Sequence, residues 1–528
     1  MNGAQALLRT LVASGVDVCF MNPGTSEMQF VAALDSTPQL RPVLALFEGV
    51  ATGAADGFGR MADRPAATLL HLGPGLGNGI ANLHNARRGR SPIVNIVGDH
   101  ATYHKALDAP LESDIESLAR PVSGWYRWTA RPDDVAAHAA AAVAAALGAP
   151  GCVATLVLPA DVSWLDANEE SLPPEARRRP VVAGAIAPKA VRNRPDDEKM
   201  KAVAAALESG EPAALLLGGS SLRATGITAA SRICERSGAK LLAEPFPARL
   251  ERGAGLPSVE RLAYFGELAQ AQMGPLRHLV LVDAKRPVSA FAYPGKASDL
   301  VPAGCEVHVL AGADEDAVEA LEALAERIGA DSQAPKFHAQ RRPDRPTGAL
   351  TPAALGQAIG ALLPEAAIIS DESITGGIFV PDATAGAPRH DLLSLTGNSI
   401  GQGLPLAAGA AVACPDRPVL ALEADGSAMY TIQALWTQAR EGLDVTTVVL
   451  DNSSYGILNI ELGRVGADAG GPIARSMLEL GRPSLDFVAI SDGLGVPAVR
   501  AETAGELAAA LERAFAEDGP HLVHAIMV

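Results

Sequence analysis

The sequence predicts an α/β protein built from three doubly wound parallel-sheet domains. Short apolar runs alternate with Ala-rich helical stretches, two Pro- and charge-rich segments interrupt this pattern, and the chain has 528 residues. Apolar runs bounded by Gly and Pro, with helices between them, are typical of parallel sheets covered on both faces. At roughly 150 residues a domain, the length corresponds to about three domains.

The apolar runs are predicted to be buried strands. Four lie in the first third of the chain and five follow: Val16–Phe20, Ala67–Leu70, Ile93–Val97, Val153–Leu158, Ala213–Leu217, His278–Val282, Val419–Glu423, Val445–Leu450 and His521–Val528. Ala-rich stretches are predicted to form covering helices at Ala136–Leu147, Ala317–Ile328 and Ala504–Ala516.

Two segments are predicted to be domain boundaries. Residues 163–198 include SLPPEARRRP and NRPDDE, and residues 331–351 include SQAPKFHAQRRPDRPTG. Segments so rich in Pro and charge bury little surface and form few ladder hydrogen bonds. We therefore expect domains at residues 1–170, 190–330 and 345–528.

Composition and charge exclude several classes of protein. Hydrophobic residues make up 48% and charged residues 20%, which argues against a disordered chain. The net charge of −17 argues against nucleic acid or an anionic membrane as the main partner, because nothing supplies attraction to phosphate. No apolar run of about 18 residues predicts a membrane span, and the N-terminus shows no targeting segment.

The cysteines are scattered along the chain and show no CxxC spacing. This pattern argues against a disulfide framework and against a zinc site, and it fits a reducing cytoplasm. The five residues are Cys19, Cys152, Cys234, Cys305 and Cys414.

The stretch from Leu420 to Leu458 carries the most informative pattern. After one predicted strand, Asp425 begins a turn into a helix predicted over Met429–Arg440, and Asn452 follows the next strand. Strand, helix and strand in a parallel sheet bring these residues side by side at the ligand-binding edge. A carboxylate, an amide oxygen and a backbone carbonyl, with diphosphate and water, suit octahedral Mg²⁺.

The same turn offers groups for a phosphate. The helix N-terminus after Gly426 has free N–H groups and the positive end of the helix dipole. Ser427 can cap this helix or donate a hydrogen bond to the phosphate. Asp-Gly-Ser alone is also typical of a capped turn, and only the second strand end at Asn452 favours a ligand site.

ADGS at residues 424–427, followed by NSSYG at 452–456, resembles the thiamine diphosphate (ThDP) motif of the acetolactate synthase and 2-oxo acid decarboxylase superfamily. That motif usually reads GDGS then NN, so Ala424 and Asp451 are departures. The resemblance implies that Asp425 and Asn452 ligate Mg²⁺ by side chain and Ser454 by its carbonyl. It implies cofactor contacts from Ala424, Gly426, Ser427, Tyr430, Tyr455, Gly456, Ile457 and Leu458.

A second match lies at residues 43–60, VLALFEGVATGAADGFGR, which resembles the family's E-x₂-A-x₃-A-D-G-Y-A-R segment. Glu48 follows an apolar strand and opens a helix, where burial would raise its pKa. The resemblance implies that Glu48 shares a proton with N1′ of the ThDP aminopyrimidine, which activates C2 of the cofactor. A carboxylate that only favours the helix start is the alternative.

Glu48 and Asp425 lie in different predicted domains. In the family, the corresponding residues meet across a dimer interface, where the first domain of one subunit faces the third domain of another. The resemblance therefore implies a homodimer or homotetramer with two sites in each dimer.

Two further loops carry predicted pocket residues. FMNPGTSE at 20–27 resembles the NPGS loop of benzoylformate decarboxylases, with Thr25 at the position of an active-site hydroxyl; an ordinary Pro-Gly turn is the alternative. HLGPGLGN at 71–78 resembles the family's Gly-Pro-Gly-x-x-Asn loop. It implies a catalytic imidazole at His71 and Asn78 near the pyrimidine, although a His at a strand end is often only a satisfied polar group.

Segments of the third domain complete the resemblance. NSIG at 398–401 resembles the segment whose apolar residue wedges the cofactor, which implies Ile400 as the wedge and Asn398 near the 4′-amino group; Ile400 as plain core is the alternative. DESIT at 371–375 is expected to approach the diphosphate through Ser373. The second catalytic His of the decarboxylases is missing from RPVSAFAYPG at 286–295, where Phe291 or Tyr293 fills the space.

The resemblance names the three domains as pyrimidine-binding, middle Rossmann-like, and diphosphate- and Mg²⁺-binding. It implies a ThDP- and Mg²⁺-dependent enzyme that decarboxylates a small 2-oxo acid through a C2 ylide and an enamine. Protonation would give an aldehyde, as in benzoylformate decarboxylase, and transfer to an acceptor carbonyl would resemble acetolactate synthase. His71 favours the aldehyde, whereas the missing second His keeps the transfer open.

Two other hypotheses belong to different classes. A non-catalytic ThDP-binding paralogue is disfavoured by the presence of Glu48. A nucleotide- or flavin-binding oxidoreductase built on Gly73–Gly77 lacks the GxGxxG spacing and does not explain Asp425 with Asn452.

Overall fold

The computed structural model describes residues 1–178, 180–188, 191–467 and 471–528. Within these ranges the chain forms three sheets of mostly parallel strands with helices packed on them, which confirms the predicted fold class. The domain boundary predicted at residue 190 lies outside the described residues. No helix in the described ranges combines the length and the apolar character needed to cross a bilayer.

The first sheet is formed by the N-terminal part of the chain. Its strands β1–β6 are Val18–Asn22, Arg41–Leu44, Ala66–Leu70, Ile93–Asp99, Trp125–Trp128 and Val153–Pro159. The accompanying helices α1–α8 are Gly3–Ala13, Met28–Leu34, Glu48–Ala62, Leu72–Gly89, Ile115–Ala119, Val135–Leu147, Ala160–Trp164 and Pro174–Arg177. All six strands are parallel, in the order β2-β1-β3-β4-β6-β5.

The second sheet is formed by the middle of the chain. Strands β7–β12 are Ala213–Leu217, Lys240–Ala243, Leu250–Arg252, Glu260–Arg261, His278–Val282 and Glu306–Ala311. Helices α9–α12 are Asp197–Glu208, Ala224–Ser237, Gly266–Met273 and Ala317–Arg327. Five of these strands form a parallel sheet in the order β10-β8-β7-β11-β12, and β9 is not part of this sheet.

The third sheet is formed by the C-terminal part of the chain together with β9. Strands β13–β18 are Ile368–Glu372, His390–Ser394, Val419–Ala424, Val445–Asp451, Ala498–Ala501 and His521–Ile526. Helices α13–α21 are Pro352–Leu362, Val380–Ala383, Gly403–Ala413, Asp425–Thr431, Ala434–Glu441, Gly456–Arg464, Pro472–Ser476, Phe487–Gly493 and Ala504–Ala514. The order is β17-β18-β16-β15-β13-β14-β9, with β9 antiparallel to β14.

All nine predicted strands are present, and no end differs by more than two residues. The helix predicted over Met429–Arg440 is wrong in two respects: it is two helices, α16 and α17, and it begins at Asp425. The extended Ala424 occupies the N-cap position, so Ser427 does not cap the helix. Asp425 Oδ1 instead accepts the Gly426 N–H at 2.8 Å, which satisfies a donor of the first turn.

The first and third sheets share one core because α3 packs directly on α15. A Cβ on Gly57 would lie 2.0 Å from the Leu406 carbonyl oxygen, and one on Gly409 would lie 1.8 Å from that of Ala54. Both positions therefore require glycine for space. The buried Arg60–Asp56 ion pair, at 2.7 Å, reinforces the contact, and Arg60 also donates to the Ser394 carbonyl at 2.8 Å.

We expect Gly409→Ala to lower the free energy of unfolding by about 1–3 kcal/mol, because the added methyl group overpacks the contact with the Ala54 backbone. Gly505→Ala is the matched control, since Gly505 lies in α21 and, apart from its chain neighbours and the backbone of its own helix, no atom lies within 4 Å of the position that its new methyl group would take. Thermal unfolding of both variants measures the effect. If Gly409→Ala matched Gly505→Ala, the two helices would not depend on this close approach.

Candidate active site

Glu48 is the first residue of α3 and follows the extended Phe47. Its side chain is largely buried, with 8% of the residue exposed, and its Oε2 accepts a hydrogen bond from Asn78 Nδ2 at 3.0 Å. A Cβ on Gly75 would lie 3.0 Å from Glu48 Oε1 and 3.4 Å from His71 Cβ. The small residue at 75 therefore brings the start of α4 against the Glu48 carboxylate.

His71 is the N-cap residue of α4 and lies directly after β3. Its Nδ1 is 2.7 Å from Glu27 Oε2, which also accepts the Gly24 N–H at 2.8 Å. A Cβ on Gly24 would lie 2.3 Å from the imidazole, so glycine lets the loop after β1 pack on the ring. Thr25 lies on this same loop and is exposed.

Glu27 is a site residue that the sequence analysis did not single out, although it ends the quoted loop FMNPGTSE. It is 2% exposed, and burial raises the pKa of Glu27 while the charge of His71 opposes that rise. With Glu27 ionised, His71 Nδ1 carries the proton and donates it. Nε2 of His71 makes no hydrogen bond within the described residues, and the side chain is 23% exposed.

Asp425 lies beside Asp451 because β15 and β16 pair in parallel register, Ala424 opposite Leu450. Asp425 Oδ2 is buried and makes no hydrogen bond within the described residues. Burial, and then the neighbouring Asp451, raise the pKa of Asp425. Burial acts the same way on Asp451, but hydrogen bonds from His524 Nε2 and Ser453 N, both at 2.8 Å, outweigh it and lower the pKa of Asp451.

The other two predicted metal ligands lie on the loop after β16. Asn452 is exposed, and its Oδ1 accepts the Ser454 N–H at 3.0 Å. The Ser454 carbonyl accepts the Gly456 N–H at 2.8 Å. The structure thus brings Asp425, Asn452 and Ser454 to the same edge of the third sheet, as predicted.

The predicted cofactor residues surround this edge. Ser427 lies beside Glu372, Tyr430 lies beside Tyr455, and a Cβ on Gly426 would lie 2.4 Å from the Tyr455 ring. Ser373 Oγ donates to Asp371 Oδ1 at 2.5 Å. Asn398 is exposed with a left-handed φ of 56°, Leu458 is exposed, and the remaining members are half-buried: Ile400, Ala424, Gly456 and Ile457.

The two groups of side chains do not meet directly within one chain. Across the described ranges, no hydrogen bond or ion pair joins Glu48 or His71 to residues 425–458. The link is indirect: Asn82 Nδ2 donates to the Gly49 carbonyl at 2.8 Å and to the Gly401 carbonyl at 3.1 Å. We refer to these two groups of predicted site residues as the two half-sites, one on the first sheet and one on the third.

Glu372 and Glu423 form a buried carboxyl pair that the sequence analysis missed. They lie at the carboxyl ends of the paired strands β13 and β15, as the last and the next-to-last residue, and are opposite each other. Glu372 accepts the N–H groups of Gly401 and Gly403 at 2.6 and 2.5 Å. Burial raises the pKa of Glu372 to about 7, and burial together with Glu372 raises the pKa of Glu423 well above its usual range. The sequence feature that could have indicated this pair is a glutamate at the end of an apolar strand.

The comparisons with known proteins agree with this geometry. Residues 1–118 match the N-terminal TPP binding domain of the thiamine pyrophosphate enzymes, and residues 383–525 match their C-terminal TPP binding domain. The chain belongs to this thiamine diphosphate-dependent enzyme family, whose acetolactate synthase and decarboxylase branches both include relatives of it. The family resemblance and the ThDP cofactor predicted from the sequence are confirmed.

Particular relatives represent both branches. The chain is 58% identical to the "Putative acetolactate synthase large subunit IlvX" of Mycobacterium tuberculosis, over 100% of this chain and 99% of that protein. It is 31% identical to a benzoylformate decarboxylase of Pseudomonas aeruginosa, over 96% of each. A solved 4-hydroxybenzoylformate decarboxylase of Rhodococcus jostii RHA1 has the same fold, with a TM-score of 0.83, 24% identity, and coverage of 100% of this chain and 99% of that one.

We expect Glu423→Gln to stabilise the protein more at high pH than at low pH. Because the folded-state pKa of Glu423 is raised, the unfolded chain loses this proton at a lower pH than the folded chain does. Stability therefore falls as pH rises above the ordinary glutamate value of about 4.3, and the glutamine variant escapes that loss.

Thermal unfolding of the cofactor-free protein at about pH 5 and about pH 8 measures this effect. The melting temperature of Glu423→Gln relative to wild type should rise between the two pH values. Glu322→Gln, at an exposed position on α12, is the control and should show no such rise. Parallel pH profiles for wild type and Glu423→Gln would mean that this carboxyl group does not titrate as the buried pair requires.

Proposed function

We propose that this chain is a ThDP- and Mg²⁺-dependent enzyme that decarboxylates a small 2-oxo acid and protonates the product to an aldehyde. The observation that carries this proposal is the placement of the Glu27–His71 pair beside Glu48, on either side of Gly75. A proton-transferring imidazole next to the cofactor-activating carboxylate is what release of an aldehyde requires.

The residues at the edge of the third sheet fit a magnesium ion and a diphosphate. Asp425 Oδ2 is a buried carboxylate oxygen without a hydrogen-bond partner in the described ranges, and such an atom needs a ligand. Asn452 Oδ1 and the Ser454 carbonyl add two hard oxygen donors nearby, which suits Mg²⁺. We assign these three as metal ligands. Ser427, Tyr430, Tyr455, Ser373, Asn398 and Ile400 are assigned to the cofactor, with the small Gly426 and Gly456 and their neighbours Ala424, Ile457 and Leu458.

The half-site on the first sheet then has two tasks in proton transfer. Bound ThDP would supply a carbon nucleophile for the keto carbon and a cationic ring that accepts the electrons of the breaking C–C bond. Glu48, held by Asn78, exchanges a proton with the aminopyrimidine through its buried carboxylate. After CO₂ leaves, the former keto carbon must take up a proton, and His71 Nε2 is positioned to give it while Glu27 fixes the ring. Thr25 is assigned to substrate contact on the same loop.

Carboligation is the second candidate, and a specific observation favours it. Residues 286–295 contain no histidine, and Tyr293 lies there largely buried, with the Arg464 guanidinium 4.5 Å from its ring. A site without a second imidazole has fewer groups to protonate the product. The product carbon would then attack an acceptor carbonyl, as the name of the M. tuberculosis relative indicates for that protein.

We further propose that the two half-sites combine between two copies of the chain in a homodimer or homotetramer. Large apolar side chains are exposed beside both half-sites: Leu46 and Met28 near Glu48 and Glu27, and Met429 and Leu458 near Asp425. Burial of such surface against a second copy is favourable. Domains at 1–170, 190–330 and 345–528 and a cytoplasmic location complete the proposal, supported by the three sheets and the scattered cysteines.

A panel of 2-oxo acids, scored for CO₂, aldehyde and ketol products in the presence of ThDP and Mg²⁺, tests this function. We expect CO₂ with at least one substrate and aldehyde in excess over ketol; ketol in excess would select carboligation. Glu48→Gln should bind ThDP normally, as judged by thermal stabilisation, yet lose at least roughly 100-fold in turnover. Cofactor binding without CO₂ release from any substrate would identify a non-catalytic paralogue.

A further inference from the structure

We propose that His278, His308 and Glu306 bind a divalent transition-metal ion, with Zn²⁺ as the best fit, at the amino-terminal edge of the second sheet. These three side chains can bring one ligand atom each to within 4.8 Å of one another. They belong to β11 and β12, and neither strand carries a residue of the two half-sites. The proposed metal site is therefore separate from the proposed magnesium site.

Parallel pairing of the two strands places these residues together. His278 lies opposite Glu306, and Val280 lies opposite His308. Because side chains alternate along a strand, Glu306 and His308 project from the same face of the sheet as His278. Their neighbours Cys305 and Val307 pack into the apolar cluster on the other face.

The distances between the three ligand atoms match a zinc site. His278 Nδ1 lies 3.1 Å from His308 Nε2, and these atoms lie 4.0 and 3.9 Å from Glu306 Oε2. The triangle formed by these three atoms has a circumradius of about 2.1 Å, so one point lies at that distance from each atom. This distance agrees with Zn–N bonds of about 2.0–2.1 Å and Zn–O bonds of about 2.0–2.2 Å. An ion there would replace the contact between the two imidazoles.

A fourth side chain, that of Glu211, contacts one of the proposed ligands, His278. Glu211 Oε2 lies 3.1 Å from His278 Nε2, the ring nitrogen that faces away from the proposed ion. Glu211 precedes β7, and β7 pairs with β11 so that Ala213 lies opposite His278. A carboxylate on the second nitrogen fixes the tautomer of a metal-bound histidine and raises its basicity. This arrangement leaves Nδ1 of His278 available as the ligand.

The exposure and mobility of the side chains also suit metal binding. The His278 and His308 side chains are 12% and 11% exposed and so are held in place, whereas Glu306 is 70% exposed and free to adjust. Two imidazoles and one carboxylate leave a fourth tetrahedral position for water.

The choice of ion follows from the donor set. Imidazole and carboxylate donors without a thiolate suit Zn²⁺, and in affinity Cu²⁺ and Ni²⁺ would compete, whereas Mg²⁺ prefers oxygen donors alone. The sequence argument against zinc rested on cysteine spacing, and these histidines are 30 residues apart in the chain. The pairing of two parallel strands brings them together. An ion held by both strands would tie β11 to β12.

Equilibrium dialysis of the full chain against zinc chloride, with ThDP and Mg²⁺ saturating, tests the proposal through the bound metal content. We expect the wild-type protein to bind one more zinc ion per chain than either His308→Gln or His278→Gln. Zinc should raise the melting temperature of the wild type and leave that of the two variants unchanged. Glu211→Gln should keep the site but weaken zinc binding about 10- to 100-fold, because Glu211 positions a ligand. This readout does not depend on any turnover.

His521→Gln is the matched control. His521 also begins a parallel strand and lies 3.3 Å from one carboxylate, that of Glu517, without a second imidazole in that contact. The His521→Gln variant should have the same zinc content as the wild type. If His308→Gln does not fold, Glu306→Gln at the exposed position replaces it and should bind zinc more weakly than wild type. Equal zinc content in wild type and in both histidine variants would overturn the proposal.

Discussion

The contact between α3 and α15 is the constraint on which the rest of the structure depends. Two helices approach so closely here that Gly57 and Gly409 have no room for a side chain. α3 begins at Glu48, and α15 begins at Gly403, whose N–H is bound by Glu372. The packing of two helices therefore sets the position of Glu48, the proposed activating carboxylate, relative to the loop at residues 401–403.

Several polar groups that are poorly satisfied by their own chain lie at or near the two half-sites. Glu27 Oε1, Asp425 Oδ2 and both carboxyl oxygens of Glu423 are buried without hydrogen-bond partners in the described ranges. Such groups cost free energy and persist where a ligand or a proton satisfies them. In this chain they lie beside His71, beside the proposed magnesium ligands and behind the loop at residues 401–403. These unsatisfied groups destabilise the folded chain, which is consistent with a site that a bound cofactor completes.

Sequence patterns predicted the fold class and nine of the strands, but not β13, although Ile368 and Ile369 lie in an apolar run. They missed strands such as β9, whose sequence Leu-Glu-Arg carries no apolar run and whose pairing with β14 depends on contacts distant in the chain. They also joined α16 and α17 into one helix, because residues 429–440 contain neither Pro nor Gly at the break. Local periodicity contains no information about such breaks or about distant pairing.

The residues of the candidate site were also predicted only in part from the sequence. The spacing of two strand ends predicted that Asp425 and Asn452 lie at one edge of a parallel sheet, whereas Glu48 and His71 were proposed from the family resemblance. Glu27 was missed since its importance comes from a 2.7 Å contact with a residue 44 positions later. The Glu372–Glu423 pair and the histidine pair at 278 and 308 depend in the same way on strand register.

Subunit complementation tests the central claim most directly, namely that the half-sites of two copies form one active site. Glu48→Gln and Asp425→Ala chains would be co-expressed in equal amounts and assayed with ThDP and Mg²⁺. If each site takes Glu48 from one chain and Asp425 from its partner, random pairing gives about half hybrid dimers with one intact site each. Turnover should then reach about one quarter of wild type, although each variant alone is nearly inactive. Turnover no greater than that of the separate variants would show that both residues must come from the same chain.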